Sequence, residues 1–360
     1  MLIPTSSFFQ KVLTLSSLVI LPLIVLNNTA EAASTQYPLK LNNCGRVIEF
    51  KKKPQNVVSV GQTSTEILYL LGLSDKVKGT ALWFEPVMPE FKDIDAQIKR
   101  LADNEPSFES VVAQKPDMIA NQYEWTIGPV GATATYSQFD DLTIPVYTSP
   151  ADCEGKDNLA GNDGLRTTPF DMDIIYKEIH ELSQIFDVEE RGDKVIETLK
   201  AREKVAIEKA KSLNIKDISG IMWFSSSTLQ ADPFIGGRLG APAYIFKTLN
   251  IKNIAQSDFD WPTMGWETIA KDNPTVLVIA DMQRKRFPAD HADVKINFLQ
   301  GDPVTKLMSA VKDQRIITIN AQAMNGSIHT IDGIEQLADA LIKIQENQMS
   351  GAKIAPNNLH

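Results

Sequence analysis

The chain has 360 residues, 43% of them hydrophobic, a balance that excludes disordered, collagenous and low-complexity classes. Its 36 Lys and Arg against 45 Asp and Glu leave a formal charge of −9, which argues against a nucleic-acid or anionic-membrane binder, since both need a basic face. The length corresponds to about two domains of roughly 150 residues each.

Lys11 is the only basic residue ahead of an apolar run over 12–26, which is followed by Asn27, Asn28, Thr29 and then Ala30-Glu31-Ala32. A charged start, about 15 apolar residues and an A-x-A pattern predict a secretory signal peptide over 1–32, cleaved after Ala32. A bilayer span would need about 20 residues, and Pro22 interrupts this run. No later segment reaches about 18 continuous apolar residues, so the mature chain is expected to be soluble and periplasmic. Cys44 and Cys153 are the only cysteines. In an oxidising compartment an even count predicts one disulfide. It would close a loop of 109 residues, worth roughly 4.7 kcal/mol on the chain-entropy model. A lipid anchor on Cys44 is not expected, because Leu41-Asn42-Asn43 lacks the small residues of a lipobox.

The mature chain then repeats one grammar of short apolar strand, turn, helix and strand. In the first half, 57–60 predicts a buried strand, Gly61 a turn and 65–71 a helix closed by Gly72, with Thr63 and Glu66 at the S/T-x-x-E spacing of a capping box. Strands follow at 77–80, 117–120 and 144–148, with helices at 108–114 and ending at 139–142. Alternation of this kind implies βαβ units and mainly parallel sheets.

From 171 to 213 nearly every residue favours helix. Ile174, Ile175, Ile179, Leu182, Ile185 and Phe186 recur at three- and four-residue spacing and form one apolar stripe. Asp187-Val188 is expected to mark a break, after which a second helix runs from about 189 to 213, with Glu190 and Lys194 at i,i+4. This reads as a stiff connection, with an N-terminal α/β lobe at 33–169, an interdomain spine at 170–188 and a C-terminal α/β lobe at 189–360. In the second half, strands are predicted at 218–224, 276–280 and 316–319, and helices at 241–249, 267–271, 304–311 and 331–347. The segments 108–119 and 266–277 share an aromatic residue, Glu, a short helix, Pro and a buried strand, and so form an internal pseudo-repeat.

Enzyme signatures are missing. There is no G-x-S-x-G elbow, and His180-Glu181 opens like a zincin helix but places Gln184 where the second His is required. Of the four His, His180 sits on the predicted spine and His360 is the last residue, leaving His291 and His329. A bare transition metal wants three or four convergent ligands, so no metal site and no resident cofactor are expected. The 236–240 segment, Gly-Gly-Arg-Leu-Gly, lacks the G-K-[ST] of a phosphate loop and reads as a turn before a helix.

Loops after strands are where an open α/β sheet binds ligands. Trp83 and Phe84, then Gln122, Tyr123 and Trp125, then Trp223 and Phe224 occupy such positions, as do Arg284, Lys285, Arg286 and His329; Arg238 in the 236–240 turn joins them as a candidate. Aromatic side chains suit a bulky, ring-rich ligand, and Arg suits carboxylate, phenolate or phosphate oxygens.

The stretches Pro54-Gln55-Asn56-Val57-Val58-Ser59-Val60, Thr65-Glu66-Ile67-Leu68-Tyr69-Leu70-Leu71-Gly72-Leu73 and Lys76-Val77-Lys78-Gly79-Thr80, with 109–119 and 302–319, carry a resemblance. Over about residues 40 to 345 the chain resembles the periplasmic binding proteins of ABC transporters for iron–siderophore, haem and corrinoid complexes. The resemblance implies two Rossmann-like lobes joined by one long interdomain helix, closing only slightly on ligand. It implies a monomer that hands its ligand to an ABC permease dimer in the inner membrane, and a bulky metal chelate as ligand, a ferric siderophore first. The paired Cys44 and Cys153 look like a subgroup that includes proteins for deazaflavin precursors, which keeps corrinoid, haem and deazaflavin ligands open. By position in the motif, Glu109 and Glu267 correspond to the surface carboxylates that dock on the two permease subunits. A chelatase-like or hydrolytic enzyme is the rival, since fold does not settle function; His329 with Asp332 is the one acid/base pair in reach.

Overall fold

The computed structural model describes Met1 and residues 34–161, 163–213, 216–284 and 286–350. The predicted signal peptide over 1–32, Lys285 and His360 lie outside the described residues, Met1 aside.

The chain opens with a hairpin, Leu39–Asn43 against Arg46–Phe50, closed by Cys44-Gly45. Both turn residues have positive φ, 51° and 73°, the combination that matches strand twist in a two-residue hairpin. Cys44 is bonded to Cys153, so the expected disulfide is present. Beside it, the Asn43 amide donates to the Thr148 carbonyl at 2.7 Å and accepts from the Thr148 N–H at 2.8 Å.

Five parallel strands form the N-terminal sheet, in the order Arg100–Ala102, Val77–Ala81, Val57–Val60, Met118–Asn121, Val146–Thr148. Val57–Val60 and Met118–Asn121 are buried at every position, as strands covered on both faces must be. The C-terminal sheet repeats the plan. Ser219–Ser225, Val276–Asp281 and Ile316–Asn320 are parallel neighbours. Lys252–Asn253 pairs with the start of Ser219–Ser225, and Phe234–Ile235 runs antiparallel to its end. In the N-terminal sheet Val57–Val60 lies between Val77–Ala81 and Met118–Asn121 with Val146–Thr148 beyond, and in the C-terminal sheet Ser219–Ser225 lies between Lys252–Asn253 and Val276–Asp281 with Ile316–Asn320 beyond. The pseudo-repeat thus supplies equivalent parts, helix Phe108–Val112 with Met118–Asn121 and helix Trp266–Asp272 with Val276–Asp281.

Between the lobes run two helices, Asp173–Ile185 and Glu189–Ser212, separated at Asp187, whose φ is 50°. The first buries its Ile175, Ile179, Leu182 and Ile185 stripe completely. Its Glu178 accepts from Ser64 and Ser149 of the N-terminal lobe. The second helix anchors Arg191 on the Leu70 carbonyl, Arg202 on Asp332 and Glu335, and Lys209 on Asp339. As lobe limits we propose the division expected from the sequence, 33–169 and 189–360 on either side of 170–188.

Three local expectations are corrected. The first helix starts at Gln62, not Thr65, and no capping box forms: Glu66 points to His329, and the buried Thr63 hydroxyl has no partner. The cap comes from the loop after Met118–Asn121, because the Gln122 Oε1 accepts the Thr63 N–H at 3.0 Å. Gly61 permits that approach: its φ is 124°, and a Cβ there would lie 2.2 Å from the Gln122 Cβ. The predicted helix at 304–311 is a turn at Thr305–Leu307 and a short helix Ser309–Lys312, broken at extended Met308. Asp302 caps the turn and Asn273 takes the Ser309 N–H, so each piece has its own cap. Helix Ala292–Gly301 was not anticipated.

Candidate functional site

The carboxyl ends of both sheets face a cavity of about 240 Å³. Phe84 reaches it from the loop after Val77–Ala81, and Gln122, Tyr123 and Trp125 from the loop after Met118–Asn121. Phe224 comes from the end of Ser219–Ser225, and Arg284 and Arg286 from the loop after Val276–Asp281. Tyr123 and Trp125 stack at 5.9 Å and 25° to make a wall from the N-terminal lobe. Phe224 and Trp261 lie 4.7 Å apart at 37° and make a wall from the C-terminal lobe. Phe84 meets Phe224 edge-on at 6.0 Å, and the Arg284 guanidinium lies 4.6 Å from the Phe84 ring. Rings from two lobes with a cation against them can grip a flat, anionic group by stacking and charge.

A hairpin, Lys156–Asp157 with Leu165–Arg166, closes one side of the cavity. It crosses to the C-terminal lobe through Arg166 N–H to the Asp258 carbonyl and Asp260 N–H to the Gly164 carbonyl, both 2.9 Å. Its charges are tied up: Lys156 lies 2.7 Å from Asp152 and 3.1 Å from Asp260, and Arg166 lies 2.6 Å from Asp260. Burial pushes the Asp152 carboxyl up to about 6 even with Lys156 beside it. Burial also acts to raise Asp260, but Lys156 and Arg166 outweigh it and hold that carboxyl below its ordinary value.

The lobes meet again on the other side. Phe84 O accepts from Gln283 N at 2.8 Å and from Arg284 N at 3.3 Å. Glu66 and His329 form a cross-lobe ion pair, Oε2 to Nε2 at 2.6 Å, while His329 Nδ1 meets Asp332 Oδ2 at 2.6 Å. Burial alone would lower the imidazole, but the Asp332 and Glu66 carboxylates outweigh it and push it up to about 10. His329 is therefore an imidazolium clasp between lobes.

Of the twelve side chains singled out in the sequence, Lys285 lies outside the described residues, and the cavity gathers seven of the other eleven: Phe84, Gln122, Tyr123, Trp125, Phe224, Arg284 and Arg286. Four lie elsewhere. Trp83 is 5% exposed beneath the Arg100 guanidinium. Trp223 packs on Trp266 and Phe298 in the C-terminal core, because alternation along its strand turns it to the opposite face from Phe224. Arg238 points to solvent and pairs with Asp258. His329 and Asp332, the acid/base pair considered for an enzyme, face Glu66 and Arg202 rather than the cavity. Sequence reading missed Asp152, Lys156, Arg166, Asp260 and Trp261, which line the cavity. The Asp258-Phe259-Asp260-Trp261 run was the available signal, an acidic and aromatic cluster that belongs to no strong helix or strand pattern. Glu109 and Glu267 each sit exposed in the first turn of the short helix of their lobe.

Residues 57–323 match the family model described as periplasmic binding protein, and the chain belongs to that family. A curated relative, the uncharacterised ABC transporter substrate-binding lipoprotein YvrC of Bacillus subtilis (strain 168), is 23% identical over 317 residues, covering 88% of this chain and 89% of that one. Among solved structures, a periplasmic binding protein from Veillonella parvula has a TM-score of 0.68 at 20% identity, covering 84% of this chain and 96% of that one. An ABC-type Fe3+-hydroxamate transport system from Saccharomonospora viridis has a TM-score of 0.69 at 18% identity, covering 85% and 99%. Among the described residues no helix is long and apolar enough to cross a membrane.

Proposed function

We propose that this solute-binding protein captures a bulky, ring-rich anionic complex, a ferric siderophore first among the candidates, and delivers it as a monomer to an ABC permease dimer. The observation that carries the reading is the pairing of two aromatic walls, Tyr123–Trp125 and Phe224–Trp261, from different lobes around Arg284 and Arg286. The walls supply ring faces and the guanidinium groups supply planar forks for carboxylate or phenolate oxygens. The likeness in fold to the Fe3+-hydroxamate transport system of Saccharomonospora viridis is the reason for placing an iron chelate ahead of haem, a corrinoid or a deazaflavin precursor. Glu109 and Glu267, one exposed carboxylate per lobe, are the proposed contacts to the two permease subunits; two separated charges fix an orientation. Tryptophan fluorescence titration tests the ligand class, because Trp125 and Trp261 both line the cavity. Saturable quenching by a ferric hydroxamate or catecholate complex is expected. Quenching by haem or a corrinoid alone would move the assignment to that ligand, and silence across the whole panel would defeat the reading.

A further inference from the structure

Behind the C-terminal wall lies a charge that does not line the cavity. Lys295, on helix Ala292–Gly301, is 0% exposed, which a lysine almost never is without a paired carboxylate. Among the described residues it makes no ion pair. Its Nζ donates to the Phe224 and Ala280 carbonyls, each at 2.5 Å. These lie near the carboxyl ends of two adjacent parallel strands, and Phe224 is itself a wall of the cavity. The charged groups facing Lys295 are Asp290, Asp281, Arg284 and Glu85.

Each of the carboxylates is engaged elsewhere. Asp290 accepts from the Ser225 hydroxyl, the Arg284 guanidinium and the Arg286 and Phe287 amides. Asp281 takes the Ala292 N–H. Glu85 takes the Ala321 N–H, and its burial pushes it up to about 8. Burial lowers the Lys295 amine to about 7, with Asp290 and Asp281 opposing that shift only in part. A neutral amine keeps two N–H groups for the two carbonyls, so loss of the proton alters the charge and leaves the clamp in place.

We propose that Lys295 is a specificity-determining residue of the cleft, whose ammonium supplies from behind Phe224 the positive potential that favours an anionic ligand, and whose deprotonation removes that preference. The inference rests on the reading of the cleft as the ligand site. Two fluorescent probes with one ring system separate charge from shape: anilinonaphthalene sulfonate and its uncharged parent, phenylnaphthylamine. Energy transfer from Trp125 and Trp261 reports their presence in the cleft. Anilinonaphthalene sulfonate is expected to bind wild-type protein about tenfold more weakly at about pH 8 than at about pH 6, with phenylnaphthylamine changed less than about twofold. Lys295→Met should bind the sulfonate weakly and without that pH slope, and Lys295→Arg should bind it tightly at both pH values. Because Asp152 and Glu85 titrate near the same window, the loss of slope in Lys295→Met is what assigns the effect. A slope that survives in Lys295→Met, or equal weakening of both probes, overturns the role of Lys295 alone. Failure of both probes to enter the cleft overturns the ligand-site reading with it.

Discussion

Replacing His329 by Gln isolates the cross-lobe clasp. The substitution removes the imidazolium between Glu66 and Asp332, two carboxylates 0% and 19% exposed. Asp332 retains Arg202, so Glu66 is the stranded charge, and it keeps only the Gln62 amide at 3.2 Å and the Met88 N–H at 2.9 Å. Breaking one partner out of a buried pair costs about 3–5 kcal/mol; those two remaining hydrogen bonds place the expected loss at about 3 kcal/mol. At about 2 °C per kcal/mol for a chain of this size, Tm should fall by about 6 °C. The loss should also depend on pH. The imidazole is raised from 6.5 to about 10 in the folded protein, so its stabilisation is full below about pH 6.5 and fades as pH rises towards about 10. Urea unfolding of both proteins, disulfide intact, at about pH 6 and about pH 9 measures this. A gap that is absent at the lower pH, or just as large at the higher one, would refute the claim that a protonated His329 holds the lobes together.

The double variant Glu109→Ala with Glu267→Ala should bind ligand normally and fail in uptake when it replaces the wild type; normal uptake would end the docking proposal. Cys44→Ser with Cys153→Ser should destabilise the chain by about 2–4 kcal/mol, read as a lower urea midpoint. Because Asn43 and Thr148 still hold the hairpin by their reciprocal hydrogen bonds, the variant is expected to keep its ligand affinity, and a loss of binding would show that the bridge shapes the cleft.

The fold was legible because central strands such as Val57–Val60 and Met118–Asn121 are buried at every position in a parallel sheet, so their apolar runs stand out, and because 108–119 and 266–277 repeat one pattern. Capping of the Thr63 N–H was not legible, since its partner Gln122 lies 59 residues away in the loop after another strand. Position after a strand found the cavity aromatics, and it failed at Trp223 for the reason that it succeeded at Phe224: neighbouring residues on one strand face opposite ways. Lys156 and Arg166 gave no signal because their meaning depends on Asp260, which only folding brings to them. His329 was noticed, but its partner Glu66 was assigned to a helix cap, and a pairing across 263 residues leaves no local trace.

Contact lengths separate the cleft's cations by task. Arg166 and Lys156 hold Asp260 and Asp152 at 2.6 and 2.7 Å, the range of strong charge-assisted bonds, and join the lobes through them. A ligand that claimed either one would have to strand a buried carboxylate, which costs more than an exposed ion pair returns. Arg284 meets Asp290 only at 3.3 and 3.4 Å while lying over the Phe84 ring. Asp290 keeps the Ser225 hydroxyl and two backbone amides whatever Arg284 does, so Arg284 can turn towards a ligand anion while that carboxylate retains three hydrogen bonds. In a chain with a formal charge of −9, the proposed recognition of an anion would therefore rest on Arg284 and Arg286 at the cavity and on the buried ammonium of Lys295 proposed behind Phe224, with the aromatic walls supplying the contact area.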